Sequence, residues 1–422
     1  MKRRLPAISG QAAWGLGDQI FSSATNFGVN ILIARSLGAS SFGAFSVAFA
    51  TYVLILNVSR AVNTEPLAIR FSAAPESSWR VGAARSSAAT LAMGVLGSLA
   101  CAVVAMVTSG DLRASFLALV VTLPGLLYAD LWRFAFFAAG HGHRAMITDV
   151  LWAVVMFPAV IWLLGFPEPS LFAIALAWAG SAVVAGLVVA VLWGVAPAFT
   201  EIGIWLREHR DLTPAFVGEL AAVSGAVQVA LIGMGIVANL AAVGAYRAAY
   251  VLFGPLRVVY QGMTLFGVPA AVRALGQSPQ HLRAGTRRGA LFLATIALAY
   301  GAVLMLMPSE WGEFILGETW PVVEPLIVPF TIGILAIGLD TPTYIGLRAL
   351  EAAGTAFRTR LVVAAADVTA TIAGAAFGGA VGAAWAGKTA QLLGTGLWWR
   401  AYWTRLAERE AWPAQLAESP SK

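Results

Sequence analysis

Stretches of about twenty apolar residues, the length that carries an α-helix across a hydrocarbon core, recur along the whole chain. Twelve are read, near 12–35, 42–63, 87–108, 114–138, 148–165, 170–192, 214–236, 244–268, 288–308, 323–347, 359–378 and 381–403. Lipid offers no partner to a backbone N–H or C=O, so each such stretch satisfies its own as a helix. Of the 422 residues 11% are charged, against roughly 25% in soluble domains, and the mean hydropathy is +0.78. A soluble enzyme with a large core is excluded. The chain is expected to be an all-α polytopic membrane protein of about twelve transmembrane helices.

The net charge of +6 does not imply nucleic acid as a partner, because basic residues gather on one side of a membrane. Lys2, Arg3 and Arg4 precede span one; Arg70, Arg80 and Arg85 follow span two. Arg144, Arg207, Arg210, Arg273, Arg283, Arg348 and Arg358 continue the pattern after the even-numbered spans. By contrast no Lys or Arg occurs from Ser309 to Leu347, where Glu310, Glu313, Glu318 and Glu324 lie. Both termini are therefore expected in the cytoplasm. The semi-polar start (Gln11, Asp18, Gln19, Ser22) reads as a retained first helix rather than a signal peptide. Cys101 is the one cysteine, which leaves no intramolecular disulfide and no cysteine-rich metal site. The His141 and His143 pair has no third ligand nearby, and neither cofactor nor metal is expected. Arginine outnumbers lysine 24 to 3, which points to a GC-rich bacterial genome.

At a shift of 201 residues, Gly43-Ala44-Phe45 aligns with Gly244-Ala245-Tyr246, and Ala48, Phe49 and Tyr52 with Ala249, Tyr250 and Phe253. Ala138-Ala139-Gly140 and Arg144 match Ala352-Ala353-Gly354 and Arg358 at a shift of 214. The change of shift implies an insertion of about a dozen residues, for which the acidic loop after span nine has room. With an even number of spans in each half the repeats are parallel, related by a pseudo-twofold axis along the membrane normal. The expected division is a six-helix lobe over 1–196, a linker helix over 197–213, a second six-helix lobe over 214–404 and a tail over 405–422. In the linker, Ile202, Trp205 and Leu206 recur at helical spacing ahead of Arg207 and Arg210, the pattern of an amphipathic helix on the cytoplasmic membrane surface.

Ala34-Arg35-Ser36-Leu37-Gly38, followed by Phe42-Gly43-Ala44-Phe45, resembles the first hairpin of the polysaccharide (O-antigen type) flippases of the multidrug/oligosaccharidyl-lipid/polysaccharide exporter superfamily. Trp14-Gly15-Leu16-Gly17-Asp18-Gln19 is similar to the segment before it there. Gly378-Gly379-Ala380-Val381-Gly382-Ala383-Ala384 resembles the turn between that family's last two helices. The motifs are short, although the likeness in topology covers the whole chain. The resemblance implies a central cavity, alternating access and passage of polyprenyl-pyrophosphate-linked saccharides to the outer leaflet of a bacterial inner membrane. It also implies membrane lipids, and a polysaccharide polymerase or glycosyltransferases, as partners. Arg35 is the residue that it marks as typical of the family.

Two arginines inside apolar stretches bear on the cargo. Arg60 falls late in span two and Arg257 in the middle of span eight, one helical turn from Gln261, the repeat equivalent of Arg60. Arginine keeps its charge, and a charge at the bilayer centre costs about 2.5–3.5 kcal/mol on insertion scales. Such a side chain faces a bundle interior or an aqueous cavity, where a guanidinium grips phosphate oxygens bidentately. The structural alternative is a partner such as Glu65 for Arg60, or snorkelling to an interface. Arg247, Arg133 and Lys388 are further candidate cavity cations. Asp18 shares a helix face with Ser22, Thr25 and Asn26; with Glu219 and Asp367 it is a candidate for ion coupling, a salt bridge being the alternative. Asp130 and Asp340 are lesser candidates, and Asp149 is expected to cap a helix. Gly374, Gly378 and Gly382, four apart, suit close helix packing.

The leading function is thus a lipid-linked oligosaccharide flippase. A drug or cation antiporter of the same superfamily is the first alternative, to be favoured by acidic cavity residues. A membrane glycan polymerase or ligase is the second, disfavoured by the very short first outer turn, Leu37 to Phe42.

Overall fold

The computed structural model describes residues 8–72, 74–220 and 225–418, with the side chains of 8–16, 19, 215, 219–220, 265 and 412–418 set aside. Its helices are α1 (Ile8–Ser59), α2 (Glu65–Phe71), α3 (Glu76–Val107), α4 (Gly110–Ala138), α5 (Gly142–Leu164) and α6 (Leu171–Trp193). There follow α7 (Ile202–Glu208), α8 (Thr213–Leu220), α9 (Ala226–Val237), α10 (Leu240–Leu252), α11 (Gly254–Gln277) and α12 (Pro279–Met305). The last are α13 (Ser309–Leu316), α14 (Trp320–Val323), α15 (Ile327–Ala349) and α16 (Ala353–Glu418). Among the described residues nine helical segments are long and apolar enough to cross a membrane, and the fold is that of an all-α, multi-pass membrane protein.

The nine segments take up eleven of the twelve apolar stretches, because two of them bend; the seventh stretch falls on the shorter helices α8 and α9. α1 turns at Gly38, where φ is 70°, a backbone conformation that other L-residues rarely adopt. α16 turns at Gly378 and Gly379, the latter with φ 56°. On either side of that turn Gly374 and Gly382 lie backbone to backbone: a Cβ on either would strike the other's carbonyl. The four-residue glycine spacing therefore divides its labour. Gly374 and Gly382 close the hairpin, while Gly378 faces open space in the turn.

Two local departures from regular helix set the positions of the intramembrane arginines. The chain leaves α1 through a π-helical turn, Arg60–Thr64, before α2, so Arg60 opens a widened turn rather than continuing a regular span. The carbonyls at this turn find side-chain donors: Val62 O accepts from Trp205 Nε1 at 3.2 Å and Asn63 O from Ser86 Oγ at 3.3 Å. Span eight, expected to be continuous, is broken at Phe253 between α10 and α11. Pro255 in the first turn of α11 has no N–H to continue the ladder. Arg257 consequently sits in the first turn of a new helix, not mid-span.

Contacts gather into two compact units, Met1–Ile232 and Gly233–Lys422. They divide inside the seventh apolar stretch, beyond the linker, because α8 packs on α1 and on the π-helical turn of the first unit. In that unit α4 is central, packed between α3 and α6. Gly94 meets the Pro124 backbone and Gly186 meets Ala129, so each neighbour comes close to α4. In the second unit α15 lies against α12 and α16. The stretch between α12 and α15 folds into α13 and α14, where Trp320 covers Gly312 and Glu310, Glu313, Glu318 and Glu324 are exposed. The corresponding link between α3 and α4 is only residues 108–109.

Within the stretch read as the linker, 197–213, α7 spans Ile202–Glu208, and its apolar side is shared out. Trp205 is fully buried in a cluster with Trp79, Trp132 and Phe136, while Phe199, Ile204 and Leu206 stay exposed. Arg85 Nε donates to Glu201 at 2.6 Å and its Nη1 reaches Glu208 at 3.3 Å; Arg70 pairs with Asp211 at 2.7 Å. His209, buried, stacks 3.9 Å from the Trp205 ring and bonds the Trp205 carbonyl through Nδ1 at 2.8 Å. Burial, with Arg70 adding repulsion, holds His209 below its ordinary value near 6.5, and the bond to Trp205 opposes this in part.

Gly382→Val should open the last hairpin and lower the thermal midpoint and membrane yield, whereas Gly396→Ala, facing open space, should leave both unchanged. Because the fold depresses the His209 value, its contribution is full above about pH 6.5 and is lost as pH falls through that range. Protection from hydrogen exchange across 202–213, taken relative to the intrinsic rate at each pH, should therefore fall on acidification to about pH 5.5 and show no such response in His209→Phe.

Candidate functional site

Within the first unit, stripes of side chains at helical spacing enclose a cavity of about 260 Å³. Ser22 and Asn26 come from the first arm of α1, and Phe49, Tyr52, Val53, Leu56 and Arg60 from its second arm and the π-helical turn. α4 supplies Leu126, Ala129, Asp130 and Arg133, α5 supplies Thr148, Asp149 and Trp152, and α6 supplies Trp178 and Ala182. Each set keeps the three- and four-residue spacing that puts side chains on one helix face.

One wall is ionic. Arg60 grips Asp130 bidentately, Nε to Oδ2 at 2.9 Å and Nη2 to Oδ1 at 2.5 Å, with its guanidinium 4.7 Å from the Phe134 ring centroid. Arg133 donates to Asp18, and its Nε lies 3.3 Å from Asp149. The Asp18 side chain is 1% exposed. Two guanidiniums thus face three carboxylates. Much of the rest of the lining is aromatic: Trp178 meets Phe49 at 5.5 Å and Tyr52 edge-on at 5.7 Å. The Trp152 indole donates to the Trp178 carbonyl at 3.1 Å.

Several expectations are corrected by this geometry. Arg60 is clasped by Asp130 of α4, a partner the sequence did not single out, because the π-helical turn and α4 lie side by side. Asp149 caps no helix: it stands inside α5, whose first residue is Gly142, and faces Arg133. Arg133 does not snorkel; its side chain is 15% exposed and held by two carboxylates. Asp18, Arg60 and Arg133 are therefore gathered in one network. Arg35 is exposed beside the bend at Gly38 and does not line this cavity. The Glu219 side chain lies outside the described residues.

The second unit treats its charges differently. Arg247 and Arg257 flank one ring, with guanidinium carbons 5.5 and 3.8 Å from the Tyr250 centroid. Arg257 Nη1 donates to the Tyr250 hydroxyl at 3.1 Å. Its Nε is buried without a hydrogen bond, and among the described residues no carboxylate pairs with it. Arg247 is 7% exposed. Lys388, 6% exposed, has its Nζ 3.5 Å from Asp367 and 5.7 Å from both the Tyr246 and Phe330 rings. The Thr371 hydroxyl donates to Asp367 at 3.4 Å.

The aromatic residues escaped the sequence reading, yet a signal existed. Phe49, Tyr52, Leu56 and Arg60 fall on one helical stripe, and Asp149 and Trp152 lie three apart. Tyr250 precedes Arg257 by seven residues, but the break at Phe253 hides their adjacency.

No family model and no curated protein matches the sequence. Among solved structures, the inward-facing form of a multidrug resistance MATE family transporter of the MOP superfamily is similar, with a TM-score of 0.69 at 16% identity, covering 92% of this chain and 95% of that one. The lipid II flippase MurJ, in an inward closed conformation, gives a TM-score of 0.66 at 10% identity over 96% of this chain and 93% of that one. A MOP superfamily transporter from Pyrococcus furiosus, described as having a binding pocket of reverse polarity that suggests a different function, gives 0.56 at 14% identity, covering 94% and 96%. The chain has the two-lobed, twelve-helix fold of these transporters.

The Arg60–Asp130 pair can be tested by a double-mutant cycle. Removing one partner of a buried pair costs about 3–5 kcal/mol; Arg60 keeps 26% exposure, so about 2–3 kcal/mol is expected for Arg60→Ala or Asp130→Ala alone. Thermal unfolding should show the double variant to be less destabilised than the sum of the singles. Strict additivity would count against the pairing.

Proposed function

We propose that the protein is a flippase that moves a lipid-linked oligosaccharide of polyprenyl-pyrophosphate type from the inner to the outer leaflet by alternating access, for surface polysaccharide synthesis. The membrane is taken as a bacterial inner membrane with both termini in the cytoplasm. Arg257 carries the reading. A guanidinium whose Nε is buried and unbonded, and which no described carboxylate neutralises, is costly unless an anion completes it. The Tyr250 ring fixes its plane and leaves it oriented for the charge-assisted, bidentate contact that a pyrophosphate oxygen pair makes. Arg247, whose guanidinium carbon lies 5.5 Å from the same ring's centroid, adds to the positive potential. The fold shared with multidrug transporters and a lipid II flippase supports export across the bilayer over sugar-transfer chemistry. Membrane lipids, and a polymerase or glycosyltransferases that use the product, are the expected partners.

A second reading, export of a cationic amphiphile, is favoured by one observation: the ionic groups at the first unit's cavity, counting Asp18 buried behind Arg133, are three carboxylates against two guanidiniums. Uptake of a labelled cationic drug into vesicles, with no movement of glycolipid, would favour it.

A charge-assisted bond is worth about 1.5–3 kcal/mol, so Arg257→Ala should slow translocation of a fluorescent polyprenyl-pyrophosphate glycolipid in proteoliposomes by about ten- to a hundredfold, with the protein level unchanged. Arg257→Lys should recover part of the rate, since it restores charge without the planar fork. Undiminished transport by Arg257→Ala would sink the assignment.

A further inference from the structure

We propose that the cavity of the first unit is a saccharide subsite that seats one pyranose ring, edge against the ionic wall and face against the aromatic wall. The inference deepens the flippase reading and rests on it for the nature of the cargo. The cavity, at about 260 Å³, falls just short of the roughly 300–1,000 Å³ of sites for drug-sized ligands. It takes a ring rather than a chain of rings.

The two walls differ in chemistry. A pyranose presents a rim of hydroxyls, each both donor and acceptor, around faces made of C–H bonds. The ionic wall offers both roles at close spacing: guanidinium N–H groups of Arg60 and Arg133, carboxylate oxygens of Asp130 and Asp149, and the Thr148 hydroxyl. Because Asp130 already holds Arg60 bidentately, that part of the wall is polar without being a naked charge. It suits a neutral polyhydroxyl rim better than a phosphate, which two guanidiniums outnumbered by three carboxylates do not attract. The aromatic part of the lining is a rigid cluster of rings set at angles to one another. Phe49 and Tyr52 lock against Trp178 at 5.5 and 5.7 Å, and the Trp152 indole is pinned by its bond to the Trp178 carbonyl. A C–H face laid on such rings gains dispersion and contact with the electron-rich π-surface. An organic cation would use the same rings, but Asp130 is clasped by Arg60 and Asp149 lies 3.3 Å from Arg133, so each carboxylate of the lining already stands beside a guanidinium.

Saturation-transfer difference NMR on the full-length protein in nanodiscs, with methyl glycosides of glucose, galactose, mannose, rhamnose and N-acetylglucosamine as probes, tests this directly. At least one glycoside should receive saturation, strongest on the C–H protons of one ring face. Tyr52→Leu should weaken that binding about fivefold and Tyr52→Phe should retain it; Trp152→Leu, on the same wall, provides a second loss variant should Tyr52→Leu fail to fold. No glycoside contact, contact indifferent to both loss variants, or saturable binding of tetraphenylphosphonium alone would overturn the subsite. Glycolipid translocation, read on the same preparation, separates the two claims. Translocation without glycoside contact removes the subsite alone; glycoside contact without translocation keeps the subsite and removes the glycolipid as cargo.

Discussion

The bidentate clasp between Arg60 and Asp130 organises the first unit. A guanidinium cannot shed its charge, and inside a bundle bathed in hydrocarbon it must be matched by a carboxylate, by water or by a ligand. Matching it here requires α1 to end in a π-helical turn that brings Arg60 against α4. The widened turn exposes carbonyls, and these become anchor points: Val62 takes the Trp205 indole and Asn63 the Ser86 hydroxyl. Through Trp205 the linker helix α7 is fixed to the end of the same turn that holds the cavity arginine. One ion pair thus connects the cavity wall, the central helix α4 and the linker.

The two units solve the problem of buried charge in opposite ways. In the first, Arg60 and Arg133 are neutralised by Asp130, Asp18 and Asp149, which leaves a polar patch together with an aromatic one in the same cavity. In the second, Lys388 has Asp367, but Arg257 has a tyrosine and no described carboxylate. On the proposed reading, Arg257 of the second unit would take an anionic headgroup, and the cavity of the first unit a neutral polyhydroxyl portion. A simple lipophilic cation is complementary to neither the unmatched arginine nor the clasped aspartate.

Much of the fold was legible because a lipid-spanning helix has a length and a polarity that a sequence displays openly. The turns at Gly38 and Gly378-Gly379 were marked by glycine, and the inserted acidic loop by the change of shift between repeats. What stayed hidden depends on relations between helices. Asp130 lies seventy residues from Arg60, so no spacing rule selects it over Glu65, and Asp149 resembled a cap until its helix was seen to start at Gly142. The break before Arg257 was foreshadowed by Pro255, yet spanning helices tolerate proline often enough that an interruption could not be inferred from it. The aromatic wall was missed because Tyr and Trp in apolar stretches are usually packing, and only the shared stripe with Arg60 distinguishes Phe49 and Tyr52.

The most direct measurement is the leaflet distribution of lipid-linked glycans in cells lacking this gene. Lipids would be extracted, and headgroup accessibility assayed on each side of the membrane. Polyprenyl-linked oligosaccharide accumulated on the cytoplasmic leaflet, and cleared when the gene is restored but not when Arg257→Ala is supplied, is the predicted result. Glycolipid evenly accessible, with surface polysaccharide intact and resistance to cationic compounds lost, would contradict it and assign the protein to small-molecule export.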